Sequence, residues 1–299
     1  MTIKNRRELL FIYDVKNANP NGDPADENKP RIDEEKGLNI VTDVRLKRTV
    51  RDYFFNYLGH VPENDKDIFV RTTDSKKGSG IKDGKARGLD FGAAKDEILN
   101  NILTKCIDIR LFGGVLPLDK DSIIFTGPVQ FKMGSSLHKV EMQYIKGTGA
   151  FASKDGANQQ TFREEYILPY SLIAFYGIVN ENAAKETGLS DQDVEELKVA
   201  MWDGTKNLIS RSKFEHSPKL LIEVKYKEEN FFIGELDKYI SFDADIQDEK
   251  LRDIEDGVLN LSKLGAVLKE NISKIESIEV RKNNRIILTG LDGIDYKEV

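Results

Sequence analysis

The sequence predicts an α+β fold, and three observations lead there. Apolar residues repeat with a strand-like period in four segments and with a helical period in two others. The strand segments are rich in aromatic and β-branched residues. The two main helical segments open on cap residues, Thr42 or Asp43 in one and Ser190 in the other.

The first strand is Arg7 to Val15, where Leu9, Phe11 and Tyr13 alternate with Leu10 and Ile12, so both faces read as buried. A polar loop, Lys16 to Val41, follows and carries the turn formers Asn19-Pro20-Asn21-Gly22-Asp23-Pro24. It is long enough to be functional or mobile. The first helix runs to about Leu58, with Leu46, Val50, Tyr53 and Tyr57 on one face and Lys47, Arg48 and Arg51 on another. Residues 60–120 read as an insertion: a short strand at Ile68–Arg71, a Gly/Lys-rich loop, a helix from about Phe91 to Cys106, then Ile109 to Gly114. Ser122–Met133 and Ile167–Val179 alternate as strands. Between them His138–Tyr166 reads as an extended hairpin projecting from the sheet. The second helix is Asp191 to about Ser210, and Lys219–Lys227 is a further strand. The tail adds a helix near Glu249–Lys269 and a hairpin of Ile275–Glu279 with Arg285–Thr289, turned at Asn283-Asn284. With the two excursions set aside, the order is strand, helix, strand, strand, helix, strand. That is the βαββαβ ferredoxin-like plan, also used by RNA-recognition motifs and by many unrelated proteins.

The chain has 299 residues, 39% hydrophobic and 32% charged, which fits an ordinary core with insertions. No run reaches the roughly 20 apolar residues of a membrane span. The apolar stretch Leu9–Tyr13 is too short for a signal-peptide core and lacks a small-residue cleavage site. One cysteine, Cys106, makes neither an internal disulfide nor a thiolate zinc cage, so a reducing cytoplasm is expected. The net charge of −6 argues against a nucleic-acid partner only superficially. Nine acids and three bases between Glu235 and Asp256 account for all of it. Phosphate binding needs a local basic groove, not a basic protein.

Several catalytic chemistries lack a signature. His60, His138 and His216 are far apart and no paired-cysteine spacing exists, so no metal site or cofactor is expected. Gly84-Lys85-Ala86 resembles the end of a P-loop, but Ser79 stands five before Gly84 and Ala86 cannot ligate magnesium. There is no Gly-x-Ser-x-Gly elbow. Cys106 and Trp202 are read as core residues.

Four constellations remain. Lys47, Arg48 and Arg51, with Arg45 nearby, are spaced to track phosphates or form a solvated basic face. The neighbouring loop and helix N-terminus could add backbone amides to a phosphate site. The projecting hairpin needs something to pack on, and Met142 or Phe162 are candidate wedges between bases. A solvent-exposed loop is the other reading. The glycines around Arg110-Leu111-Phe112-Gly113-Gly114, Gly127-Pro128-Val129-Gln130 and Gly134-Ser135-Ser136 allow close backbone approach, or are ordinary turns. In Ser210-Arg211-Ser212-Lys213, with His216 and Pro218, the helix dipole accounts for Lys213, and Arg211 is the candidate RNA contact.

Several stretches together resemble one family. They are Phe11–Val15 leading to Asn17–Pro24, then Pro30-Arg31-Ile32-Asp33, Val41–Arg48, Arg110–Gly114 and Gly127–Phe131. These look like the backbone subunit of Cascade in type I CRISPR systems, the Cas seven family of the RAMP superfamily, and most like its type I-B branch. The resemblance implies a non-catalytic CRISPR RNA-binding protein that oligomerises along the guide in antiviral defence. It implies a right-hand shape: a palm of residues 1–59, 121–137 and 166–230, fingers at 60–120, a thumb hairpin at 138–165 and a C-terminal extension at 231–299. Implied partners are the CRISPR RNA, further copies in a helical filament, other Cascade subunits, and target DNA through guide pairing. Guide contacts then fall on Asn19, Asn21, Gly22, Arg31, Arg45, Lys47, Arg48, Arg51, Arg110, Gly113, Gly114, Gln130, Ser135, Ser136, His138 and Arg211, lining one channel across the sheet. The alternative is a metal-dependent endoribonuclease, like type III relatives, using Asp23, Asp26 or Asp33 of the early loop; turn and capping chemistry is the simpler account of those residues. A protein-interaction module without nucleic acid is the third possibility.

Overall fold

The protein is described from a computed structural model, which covers residues 1–75, 78, 80–117, 122–152 and 160–299, without the side chains of 149–152 and 160–162. It is an α+β fold. Strand β1 (Arg7–Ala18) lies at the centre of the main sheet, and residues Arg7 to Val15 are buried on both faces. Strand β2 (Leu38–Val41) and helix α1 (Asp43–Asn56) follow. Helices α2 (Lys95–Lys105) and α3 (Ile107–Phe112) lead to β3 (Gly113–Pro117) and β4 (Ser122–Thr126). Next come β5 (Val129–Phe131), β6 (Gly134–Lys139), β7 (Gln143–Ala152) and the 20-residue β8 (Gln160–Val179). Helices α4 (Glu181–Thr187) and α5 (Asp191–Lys206) precede β9 (His216–Tyr226). The last part holds β10 (Ser241–Asp243), β11 (Val258–Asn260), α6 (Ser262–Glu270), β12 (Ile275–Lys282) and β13 (Leu288–Thr289).

The main sheet runs β12-β9-β1-β8-β6-β2, and β5 and β7 also pair with β8. Strand β1 is antiparallel to both neighbours, with Phe11 opposite Phe175 on one side and Leu221 on the other. Alternation along β1 divides the core. Leu9, Phe11, Tyr13 and Val15 pack with Leu46, Val50 and Phe54 of α1 and Val194, Leu197 and Met201 of α5. Leu10 and Ile12 face the other way, with Leu172, Leu220 and Ile222, and are covered by Leu236, Leu251, Ile254, Leu264 and Leu268. A third cluster, Phe69, Phe91, Ile98, Ile102, Cys106, Ile109, Leu116, Ile123 and Phe125, belongs entirely to residues 69–125. Burial pushes the Cys106 thiol pKa up.

Local chemistry explains the boundaries. Ser190 and Asp193 form a reciprocal capping box that starts α5. Asn180 caps α4, which ends on left-handed Gly188. On α1 the core face is Leu46, Val50 and Phe54, with Tyr53 partly buried against it and Tyr57 off it. Tyr57 is exposed and stacks on Tyr53 at 4.9 Å.

Several expectations need correction. The predicted strand Ser122–Met133 is two strands, broken at Gly127-Pro128, because Gly127 crosses Gly113 with no room for a Cβ on either: it would lie 2.1 Å from the Phe112 carbon at one and 2.2 Å from the Phe125 oxygen at the other. The polar loop after β1 is shorter than expected and internally paired, Gly22–Asp23 with Lys29–Pro30 and Ile32–Asp33 with β2. The tail helix spans only Ser262–Glu270. Upstream, Gly257 is extended and pressed against the Asp243 carbonyl, and β11 pairs with β10. The predicted tail hairpin does not form. Its first arm, β12, buries Ile275, Ile278 and Val280 beside β9, and Leu288–Thr289 pairs in parallel with β11. The second arm of the predicted excursion is continuous with the sheet strand, since β8 pairs β7 at one end and β1 at the other.

Glu8 is fully buried in β1, and no cation pairs with it among the described residues. Its carboxylate accepts from the Tyr176 and Tyr226 hydroxyls and from the N–H groups of Ile233 (2.9 Å) and Gly234 (2.8 Å). Four donors on one carboxylate pin the start of the C-terminal segment to the sheet. Replacing Glu8 by Leu is expected to lower stability by about 3 kcal/mol, because those buried donors lose their acceptor. Urea unfolding measures the loss, and limited proteolysis is expected to open residues after Lys227 first.

Candidate nucleic-acid interface

The loop after β1 is held to α1 by asparagine side chains. The Asn21 Oδ1 accepts from the Thr42 N–H and the Thr42 Oγ1–H, both at 2.8 Å, and so caps the helix in place of Thr42 itself. Asn19 donates through Nδ2 to the Asn28 carbonyl at 2.6 Å. A Cβ on Gly22 would sit 2.7 Å from that carbonyl oxygen, which is why glycine stands there. Arg31 pairs with Asp23 at 2.7 Å. The early acids do turn chemistry: Asp23 accepts from the Ala25 N–H, Asp26 pairs with Lys29 at 2.6 Å, and Asp33 accepts from the Glu35 and Lys36 N–H groups.

The four cations of α1 do not share one trench, contrary to expectation. Lys47 is only 8% exposed and bonds to Asp43 at 3.0 Å and to the Gln130 Oε1 at 3.3 Å. Arg51 pairs with the buried Asp108 at 3.0 Å and lies over the Phe112 ring. Arg48 is exposed and paired with Asp52. The physical reason is local counter-charge: Lys47 and Arg51, one turn apart, both face Phe112 but are claimed by Asp43 and Asp108, while Arg48, about 100° round the helix from Lys47, is claimed by Asp52. Nor is the second face of the sheet open as a channel, because the C-terminal segment covers it.

Arg45 is different. One guanidinium nitrogen donates to the Thr49 hydroxyl at 2.9 Å, and no carboxylate among the described residues pairs with it. Beside it are Lys213 and His216, and the Lys213 ammonium donates to the Asn19 carbonyl. Lys213 has no carboxylate at ion-pair distance among the described residues either. By contrast Arg6, Arg7, Lys16, Arg110, Lys198 and Lys219 each have one at ion-pair distance. Burial, and then the Arg45 charge, lower the Lys213 pKa to about 8. Burial, then Lys213 and Arg45, lower that of His216 to about 3, so its ring is neutral. His216 is 5% exposed, stacks on Tyr13 at 5.8 Å, and neither ring nitrogen makes a well-formed hydrogen bond. The Asn19 Oδ1 is likewise buried without a donor. Arg45, Thr49, Asn207 and Lys213 line a cleft of about 350 Å³ between α1 and the segment after α5. Sequence reasoning put Lys213 down to the helix dipole and gave His216 no role. The run Ser210-Arg211-Ser212-Lys213 was the available signal.

The remaining candidates scatter. Arg110 is ion-paired within the protein. Its guanidinium pairs bidentately with Asp193 (2.7 and 3.1 Å) and donates to the Leu103 and Thr104 carbonyls, tying α2 to α5. Gly113 serves the crossing with Gly127, and a Cβ on Gly114 would press on Ile109. His138 is buried, its Nδ1 meets the Lys139 carbonyl at 2.7 Å and its Nε2 accepts from the Leu172 N–H at 3.1 Å, leaving the ring nothing to offer a ligand. Ser136 is buried and bonded to Asn39 and His138. Ser135 is half-buried and donates weakly to the Ser136 carbonyl. Gln130 is exposed beside Lys47. Arg211 is exposed and bridges Glu165 (2.9 Å) and the Asn17 carbonyl (3.4 Å). Met142 lies at the foot of β7 in a second cleft, of about 650 Å³, with Met133, Ile40 and Arg31. The Phe162 side chain lies outside the described residues. Among the described residues, one carboxylate trio, Glu195, Glu223 and Glu279, is close enough to hold a cation, and the Lys198 ammonium stands among them at 2.6 to 3.0 Å. No helix among the described residues is long and apolar enough to cross a membrane.

Fold and cleft together define an α+β protein with a cleft between α1 and the segment after α5 whose cations, Arg45 and Lys213, have no carboxylate at ion-pair distance among the described residues. The family model for CRISPR-associated protein Cas7 matches residues 5–262. A CRISPR-associated protein Cas7 of Haloferax volcanii is 32% identical over 313 residues, spanning 96% of this chain and 90% of that protein. The chain belongs to the Cas7 family. Two solved structures share its fold. A chain of a "CRISPR RNA-guided surveillance complex, pre-nicking" superposes with a TM-score of 0.58 at 13% identity, over 98% of this chain and 96% of its own. A chain of a "CRISPR RNA-guided surveillance complex" does so with 0.57 at 14%, over 98% and 94%.

The Arg110–Asp193 pair has a pH consequence. Burial raises the Asp193 pKa, but the Arg110 fork and the Ser190 donors outweigh it, so the net shift is downward. A depressed carboxylate pKa contributes stability above the unfolded value of about 3.9, lost as pH falls through the folded value. Asp193→Asn is therefore expected to destabilise the protein at pH 7 and to flatten its acid unfolding curve, followed by circular dichroism.

Proposed function

We propose that this chain is a non-catalytic backbone subunit of a Cascade-type surveillance complex, binding CRISPR RNA and presenting it for pairing with target DNA. The observation that carries the reading is the Cas7 match along nearly the whole chain, together with the fold shared with chains of RNA-guided complexes. The order β9-β1-β8-β6, antiparallel with α1 and α5 on one face, supports the ferredoxin-like palm. The separate core of residues 69–125 supports a fingers lobe, and the β7–β8 hairpin with exposed Tyr144 and Ile145 supports a thumb.

In this reading several copies line up on one guide through a head-to-tail contact, alongside other Cascade subunits, and base pairing supplies the sequence specificity. Arg45, Arg48, Gln130 and Arg211 are the reading's guide contacts, and Met142 its wedge at the thumb base. The early-loop aspartates stay in turn and ion-pair roles.

Protein purified from cells expressing a CRISPR array is expected to carry RNA, with absorbance raised near 260 nm. After nuclease digestion the protected fragments are expected to differ by a constant length, one step per subunit. Nucleic-acid-free protein that also binds no added single-stranded RNA would sink the reading.

A further inference from the structure

We propose that the cleft between α1 and the segment 207–213 is a phosphate site, with Arg45 and Lys213 as its ligands, filled by one phosphodiester of a single-stranded RNA. The inference rests on the guide-scaffold reading and adds Lys213 to it.

The argument is one of missing counter-charge. Taking a cation out of water costs several kcal/mol unless an anion meets it. Elsewhere this protein meets the cost with its own carboxylates, as at Lys219 with Asp14 and Lys198 with Glu223. Here two cations share one cleft, and among the described residues neither has a carboxylate at ion-pair distance. Asp52, on the cleft wall, is taken by Arg48. An ammonium has three donors and a guanidinium five. Lys213 spends a donor on the Asn19 carbonyl and Arg45 one on Thr49, so the rest are open to an acceptor-only ligand. Behind the cleft, Asn19 Oδ1 and both His216 nitrogens are buried without good partners, so no internal acceptor there supplies a counter-charge. A phosphodiester supplies the charge and the acceptors the cleft lacks.

The same geometry gives the site a pH signature. Arg45 and His216 face Lys213, Tyr13, Asp52 and Arg48 act on Arg45, and Asp52, Tyr53 and Tyr57 also line the cleft. His216 is neutral and the Tyr13 phenol is pushed up by burial, so Lys213, near 8, is the group that changes charge between pH 7 and 9. A bound anion favours its charged form, so affinity is greatest below pH 8 and falls as pH rises through it.

The test is fluorescence anisotropy of the full-length protein with a labelled uridine oligoribonucleotide, at several salt concentrations and from pH 7 to 9. Lys213→Met is expected to weaken binding about tenfold and to lower the log–log salt slope by about one, and Arg45→Met to do the same. Lys213→Arg keeps the affinity at pH 7 and removes the decline toward pH 9. It also decides the matter if Lys213→Met fails to fold, as judged by thermal unfolding. Wild-type protein that binds RNA with variants matching it in affinity, salt slope and pH profile overturns the phosphate site alone. Wild-type protein that binds no RNA overturns the scaffold reading as well.

Discussion

One strand buried on both faces holds the molecule together. Strand β1 has partners on either edge, a helical layer on one face and the C-terminal segment on the other. Such a strand has no solvent side for its polar residues, so each must find a partner inside. Glu8 takes two tyrosines and two backbone amides, Asp14 takes Lys219, and Arg7 takes Glu223. Leaving such a group unpaired would cost a large share of a domain's net stability. The C-terminal segment therefore does more than cover apolar area, since it brings donors that β1 cannot do without.

The same accounting makes sense of the acidic stretch. Asp253 meets Lys16 and Arg285, Glu255 meets Arg285, and Glu235 and Asp237 meet Lys132. Lys16 and Lys132 belong to the sheet or its edge, so part of the charge that makes the chain acidic closes the segment onto it. These partly exposed pairs each contribute little energy, and their effect is on register and orientation. Against that background Arg45 and Lys213, half-buried with no carboxylate at ion-pair distance among the described residues, stand out.

Much of the architecture was legible because periodicity and capping act locally. The two-sided burial of β1 follows from its unbroken apolar run, and the start of α5 from Ser190 and Asp193. The motif order along the first 137 residues pointed to the family that the match over residues 5–262 also identifies. What could not be read was pairing at a distance. The tail segments look like a hairpin in sequence, yet β12 finds a better apolar surface beside β9. The α1 cations look like one basic face, yet Asp43 and Asp108 claim Lys47 and Arg51.

The amino-acid sequence alone thus determined the fold class, the main strands and helices, and the family, because these rest on local periods and on motifs in fixed order. Only the tertiary structure decided which charges are spent. Arg110 and His138 were withdrawn into internal hydrogen bonds by partners 83 and 34 residues away, and Lys213 was brought beside Arg45. The physical reason is that a side chain's charge is available to a ligand only if folding leaves it without an internal counter-charge, and sequence spacing carries no record of that.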